Sequence, residues 1–263
     1  MIWIEFALTG IVAGFLAGYL GIGGGLVLVP VLVYILSREP ATAAYATHMA
    51  VATSLSTMLL TSLSSIAAHH RRGAVRWSLT AQLAPALLAG AIGGALIAHR
   101  LTSDVLAAVF GAFATVVGVH MLSGKKQDVH GRPAGPVKNS LAGVVFGAVS
   151  SLVGIGGGNM TAPWFMWHGY RPQAAVATAA ACGYPIAVAG TWLYVWLGRD
   201  VVASPGTLGY VYLPAFLGIS VFAALAAPLG AAAVHRTPPE RVRRLFGAFL
   251  LLMALRMLST AWA

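Results

Sequence analysis

Two glycine runs hold the residues best placed to do chemistry. Gly21-Ile22-Gly23-Gly24-Gly25, with Pro30 five residues on, recurs as Gly154-Ile155-Gly156-Gly157-Gly158, with Pro163 five residues on. Each glycine weakens a helix by about 1 kcal/mol relative to alanine, so such a run in apolar sequence needs a reason. Glycine permits positive φ and leaves the backbone N–H uncovered. A glycine turn that opens into a helix aims several N–H dipoles at one spot, where an anion is favoured. Broken helices at corresponding positions of two halves point to a transporter's substrate site. The competing reading is close helix packing through small residues. On the first reading Gly23, Gly24, Gly25, Gly156, Gly157 and Gly158 are substrate ligands. Asn159 joins them, because it directly follows the second run. The first run continues with apolar Leu26-Val27-Leu28, so the halves contribute unequally.

Further candidates lie in the apolar segments that follow each run. His48 stands early in one, flanked by Thr47, with Thr53 and Ser54 a turn or two later. The matching segment of the second half holds Thr178, Cys182 and Tyr184-Pro185. An ionisable group within a membrane is costly and suggests function, which singles out His48. Thr47, Thr178 and Tyr184 join it as polar candidates, the threonines less strongly because such hydroxyls more often bond backbone or a neighbour. The plain alternative is a neutral His48 bonded to a nearby carbonyl. Arg256 and His120 read as anchors at helix ends, and Trp77, Tyr170 and Tyr210 as an interfacial aromatic belt. The carboxylates Glu5, Glu39, Asp104, Asp128, Asp200 and Glu240 all fall at helix ends or in loops. None is placed to carry a coupling proton through the membrane. A haem or copper enzyme needs converging imidazoles, and His48 alone is deep, so no enzyme and no cofactor is expected. One cysteine, Cys182, excludes a disulfide framework.

The elements that must position these residues are membrane helices. Hydrophobic residues make up 59% of the 263-residue chain and charged residues only 8%, against about 25% charged in an ordinary soluble domain. Backbone in lipid must bond internally, so the spans are helices. Polar breaks divide the chain into ten apolar segments, near 3–20, 26–37, 43–68, 79–98, 104–122, 139–153, 159–168, 173–197, 210–232 and 243–262. The second and seventh are too short to span and pair with their predecessors. Val109-Phe110-Gly111-Ala112-Phe113 parallels Leu245-Phe246-Gly247-Ala248-Phe249 at nearly the offset of the glycine runs, and His99-Arg100 parallels His235-Arg236. The chain therefore divides into a first repeat, 1–122, a cytoplasmic linker, 123–138, and a second repeat, 139–263. The amino terminus lacks a basic run and reads as a first helix, not a signal peptide.

The formal charge of +10 is a topology signal, not a nucleic-acid footprint. If each glycine-broken pair returns to its own side, one set of loops holds twelve Lys and Arg and the other three; if each pair is one broken span, the split is eight against seven. The positive-inside rule selects the first arrangement, with both termini outside an inner membrane. Five segments per half make the repeats inverted. The expected fold is thus all-α and polytopic, with a broken helical hairpin and three transmembrane helices in each half.

The paired Gly-x-Gly-Gly-Gly-x4-Pro motifs, the Gly73-Ala74-Val75-Arg76-Trp77 loop and the two-half layout resemble the sulfite exporter (TauE/SafE-type) family over essentially the whole chain. The resemblance implies transport, usually export, of sulfite, sulfonates, sulfoacetate or related anions. The alternative is an anion channel, or a carrier of other small organic anions. Expected partners are the small anion and the bilayer, with a homodimer one option for assembly.

Overall fold

The computed structural model describes residues 2–20, 24–123, 131, 134–202, 204–233 and 239–261. Ten α-helices follow in order: α1 (Ile2–Leu20), α2 (Gly25–Leu36), α3 (Ala46–Arg71), α4 (Trp77–Arg100), α5 (Ser103–Ser123), α6 (Pro136–Val153), α7 (Gly158–Trp167), α8 (Pro172–Gly198), α9 (Leu213–Ala233) and α10 (Pro239–Ala261). They coincide with the ten apolar segments to within a few residues. Five helices within 43–71, 77–100, 103–123, 136–153 and 172–198 are long and apolar enough to cross a membrane. With 12 and 10 residues, α2 and α7 extend about 18 and about 15 Å, well short of a bilayer core of about 30 Å. Large apolar side chains such as Val137, Trp192, Leu225 and Leu245 face outward, as a lipid solvent allows.

Small residues set the helix pairing. The most extensive contacts join α1 to α9 and α4 to α6, followed by α5 with α10 and α3 with α8. On α1, Gly10 lies against the Ile219 backbone and Gly14 against the Ala223 backbone of α9. On the α4–α6 seam, Gly90 and Gly94 meet the Val144 and Ala148 backbones, and Gly147 meets Leu87. These are glycines spaced four apart, which let helix backbones approach closely where no hydrophobic effect drives association. Gly10 and Gly14 are 133 positions before Gly143 and Gly147, the offset that separates Gly21 from Gly154. Exchanging the halves turns the α1–α9 seam into the α6–α4 seam and leaves the α3–α8 and α5–α10 seams on themselves.

At the centre α3 and α8 run antiparallel. Leu55 reaches Gly190, and Ile66 packs with Ala177 and Ala181. An addition that the helical reading lacks is a small β-ribbon, β1 (Thr207–Leu208) and β2 (Val211–Tyr212), between α8 and α9. Gly206 and Gly209 take φ of +81° and +57° to turn it. Most of the interval 123–138 lies outside the described residues, as do His235 and Arg236.

Candidate functional site

The two glycine breaks meet. A Cβ on Gly25, the first residue of α2, would collide with the Gly154 carbonyl oxygen and lie 2.9 Å from Ile155 Cα. Gly154 has φ +71°; its N–H and that of Ile155 both donate to the Ser150 carbonyl, the latter at 3.0 Å. This left-handed turn ends α6 in the manner of a Schellman motif. A side chain there would press on Val51 Cα, 2.9 Å away. Ser54 Oγ of α3 donates to the Gly154 carbonyl at 2.7 Å and ties the turn to the central helix. The mirror contact under exchange of the halves would join Gly158 to Gly21. Gly21, Ile22 and Gly23 lie outside the described residues, so the Gly23 assignment has no structural account.

Gly24, Gly156 and Gly157 are differently placed. Gly24 has an ordinary φ of −67°, and a Cβ there would meet Ala13 at a tight but near-normal 3.3 Å. At Gly156 and Gly157 a Cβ would meet only the tips of flexible side chains, Met58 Cε and Ile186 Cδ1. Met58 and Ile186 stand at the midpoints of α3 and α8, so the second break lies midway along both long helices. The N–H groups of Gly156, Gly157 and Gly158 precede the first bonded turn of α7, in which the Gly156 carbonyl takes the Asn159 N–H at 3.4 Å and the Gly157 carbonyl takes the Met160 and Thr161 N–H at 3.1 and 2.9 Å and Thr161 Oγ1 at 2.7 Å.

Unpartnered polar atoms concentrate at this break. Among the described residues, seven buried side-chain atoms have no hydrogen-bond partner, and four of them are Ser150 Oγ, Ser151 Oγ and the amide N and O of Asn159. Buried polar groups are ordinarily bonded, and each one left alone costs about 1–3 kcal/mol. Ser150 and Ser151 are fully buried. Four of the seven unpartnered atoms thus fall within ten residues around one turn. Fixed charge on the helices beside the breaks is confined to far ends: α2, α7 and α8 contain no Lys, Arg, Asp or Glu, and Glu5 of α1, Arg71 of α3 and Lys138 of α6 all lie at the ends away from the breaks.

The remaining candidates fall elsewhere. His48 is buried at the start of α3, ten residues from Met58, or about 15 Å along the helix. Its Nε2–H donates to the Ala98 carbonyl at 3.0 Å, which leaves Nδ1 buried and without a partner. Its ring stacks on that of Tyr210, centroids 5.2 Å apart. The Thr47 backbone N–H donates to Ser103 Oγ at 3.1 Å. Thr178 sits toward the opposite end of α8, where its Oγ1 accepts the Arg76 N–H at 3.1 Å. Tyr184 is half-buried near the middle of α8. The structure therefore brings Gly25 against Gly154 and Ile155, sets Gly156 and Gly157, next to Gly158 and Asn159 in sequence, beside Met58 and Ile186, and places Thr47 and His48 toward one end of the central helix pair and Thr178 toward the other.

Tyr210 is not part of an interfacial belt. It is 1% exposed, in the turn of the ribbon, among the rings of Tyr45, His48, His99 and Tyr194. Its hydroxyl lies 3.1 Å from His99 Nδ1, and burial pushes that hydroxyl up to about 12, so it stays protonated near neutrality. The Tyr212 N–H donates to Thr53 Oγ1 at 3.0 Å, which pins the ribbon across the ends of α3 and α8. A polar loop next to an aromatic-rich segment start is an ordinary sequence pattern, and it gave no sign of this plug. Ser150-Ser151, two hydroxyls in an otherwise apolar stretch just before the glycines, was the legible signal for the unpartnered atoms.

Comparison with known proteins adds an independent line. A family model described as Sulfite exporter TauE/SafE matches residues 6–257. A Haemophilus influenzae protein named "Probable membrane transporter protein" is 33% identical over 252 residues, covering 95% of this chain and 96% of its own. A Methanocaldococcus jannaschii protein of the same description is 26% identical over 253 residues, covering 95% and 93%. One from Bacillus subtilis is 25% identical over 199 residues, covering 68% and 73%. No solved structure matches the chain.

Proposed function

The chain belongs to the sulfite exporter TauE/SafE family of membrane transporters, and from that membership we propose that it exports small sulfur-containing oxyanions, sulfite or organosulfonates, across the bacterial inner membrane. The observation that carries this reading is the meeting of the two glycine breaks against α3, the second reaching the midpoints of α3 and α8, beside polar atoms that lack partners. Main-chain N–H groups of Gly156, Gly157 and Gly158, with the Asn159 amide and the two serine hydroxyls, hold the anion. The N-terminal end of the α7 dipole adds roughly half a positive charge there.

The halves are inverted repeats that alternate access to this site. The self-mapping helix pairs, the 133-residue offset of the seam glycines and the basic bias of one set of loops support it. No coupling ion is required. One negative charge leaving a cytoplasm about 100 mV negative gains about 2.3 kcal/mol. The ribbon carrying Tyr210 closes the outer end, and the side chains of Met58 and Ile186 close over the second break itself.

Counterflow in proteoliposomes tests the carrier. Labelled sulfite entering vesicles should be accelerated by unlabelled sulfite inside, and flux should saturate with concentration. Flux that rises linearly without counterflow indicates a channel. Thiol labelling in intact cells tests the topology on a Cys182→Ser background. Ser37→Cys and Ser204→Cys should react with an impermeant reagent, while Arg72→Cys and Gly131→Cys stay shielded until the cells are opened. Labelling of Arg72→Cys from outside removes the inverted arrangement.

A further inference from the structure

We propose that the site at the second break accepts singly charged oxyanions and discriminates against doubly charged ones; this rests on the carrier reading above. Every group available to the anion is a neutral dipole: the N–H groups of Gly156, Gly157 and Gly158, the Asn159 amide, and the Ser150 and Ser151 hydroxyls. The surroundings are apolar, with Val51, Ile155 and Ile186 fully buried and Met58 nearly so. No Lys or Arg lies in α2, α7 or α8, and the one on α3, Arg71, is thirteen residues from Met58. The basic residues that begin α6, Lys138, and precede α4, Arg76, are at helix ends.

The scaling of the two opposing terms decides the preference. Removing an ion from water costs free energy that grows with the square of its charge, which is why buried charges need strong compensation. Attraction to fixed dipoles grows only in proportion to charge. Going from one charge to two therefore roughly quadruples the cost and doubles the gain. A site with a guanidinium or ammonium offsets that difference, and this one has none among the described residues. The half-charge of a helix end matches a monoanion. Hydrogen sulfite and simple alkanesulfonates fit, whereas doubly charged sulfite, sulfate and carboxylated sulfonates such as sulfoacetate do not.

Titratable groups on the packed elements are His48 and, at the far end of α3, His69, His70 and Arg71; Lys138 at the start of α6; and Cys182, Tyr184 and Tyr194 on α8; α2 has Tyr34 alone, far along the helix, and α7 has none. The test must separate their titration from that of the substrate. Purified protein in liposomes is assayed for sulfite and for methanesulfonate flux from about pH 6 to about pH 9, with protein-free liposomes subtracted. Sulfite loses its second proton within this range, and methanesulfonate stays a monoanion throughout. Sulfite flux should fall about tenfold for each pH unit above that ionisation, following the hydrogen sulfite fraction, while methanesulfonate flux stays level. Sulfate, doubly charged throughout, should compete at least tenfold more weakly than sulfite at the acid end. Sulfite flux that holds or rises with pH, or sulfate competing as well as sulfite, overturns the inference and leaves the carrier intact. A parallel fall of both fluxes assigns the pH dependence to the protein and also overturns it. Absence of flux and of competition by any of these anions removes the carrier reading and the inference with it.

Discussion

Gly25→Val and Gly154→Val should each prevent the protein from accumulating as a folded, monodisperse species. At Gly25 the obstacle is backbone on the opposite side, the Gly154 carbonyl and Ile155 Cα. Backbone cannot rotate away as a side-chain tip can. At Gly154 the φ of +71° adds conformational strain, severe for a β-branched residue. Overpacking a well-filled interior costs about 1–3 kcal/mol, and left-handed backbone adds about 1–2 kcal/mol for a residue with a Cβ. A total of about 3 kcal/mol at Gly154 is a large share of the stability of an ordinary protein. The Ser54 hydroxyl, bonded to the same carbonyl, would be displaced in both variants. Thermal unfolding followed by size-exclusion fluorescence in detergent reads the effect. A midpoint within a few degrees of the parent would show that the breaks do not touch in the folded protein.

Gly157→Val should behave in the opposite way, with folding kept and transport lost. Its φ of −55° suits any residue, and the first atom met is Ile186 Cδ1, at 2.6 Å, at the end of a side chain that can change rotamer. The added methyls then occupy the space over the α7 N-terminus where an anion must approach the N–H groups. A drop in flux of at least about a hundredfold is expected, since an oxyanion displaced from two or more charge-assisted hydrogen bonds loses about 1.5–3 kcal/mol for each. Gly24→Val is the informative companion. Its Cβ would meet Ala13, and the first half offers no counterpart to Asn159, so its effect on flux should be smaller. Equal loss in both variants would mean that the halves bind substrate symmetrically.

The helices were legible because their signal is redundant: long apolar runs, breaks marked by charge and proline, and a motif repeated at a fixed offset. The second break was legible as well, through three adjacent glycines and the asparagine after them. What the sequence could not show was which glycines do which job. Gly25 and Gly157 look alike in a motif, yet one faces a carbonyl and the other a movable methyl. That difference depends on contacts between separate helices, Gly25 with Gly154 and Gly157 with Ile186, which no local pattern encodes. His48 illustrates the converse. Its ionisable ring drew attention, and the structure bonds it to the Ala98 carbonyl and stacks it under Tyr210, toward one end of the central helix pair. Tyr210 was read from its place near a segment end, where tyrosine is ordinary; the ribbon that folds it inward leaves no period of its own in the sequence.

Anion binding at the second break is the central claim, and Asn159→Ala reaches it most directly. The substitution removes a side chain whose amide N and O have no partner within the protein, so folding loses no recorded hydrogen bond. Calorimetric titration of sulfite into the purified parent and the variant, with matched unfolding midpoints as a check, gives the affinity difference. Loss of one hydrogen bond to an anion is worth about 1.5–3 kcal/mol, which predicts a dissociation constant raised roughly ten- to a hundredfold. An unchanged dissociation constant, in a variant as stable as the parent, would contradict the account and take the anion away from the glycine break.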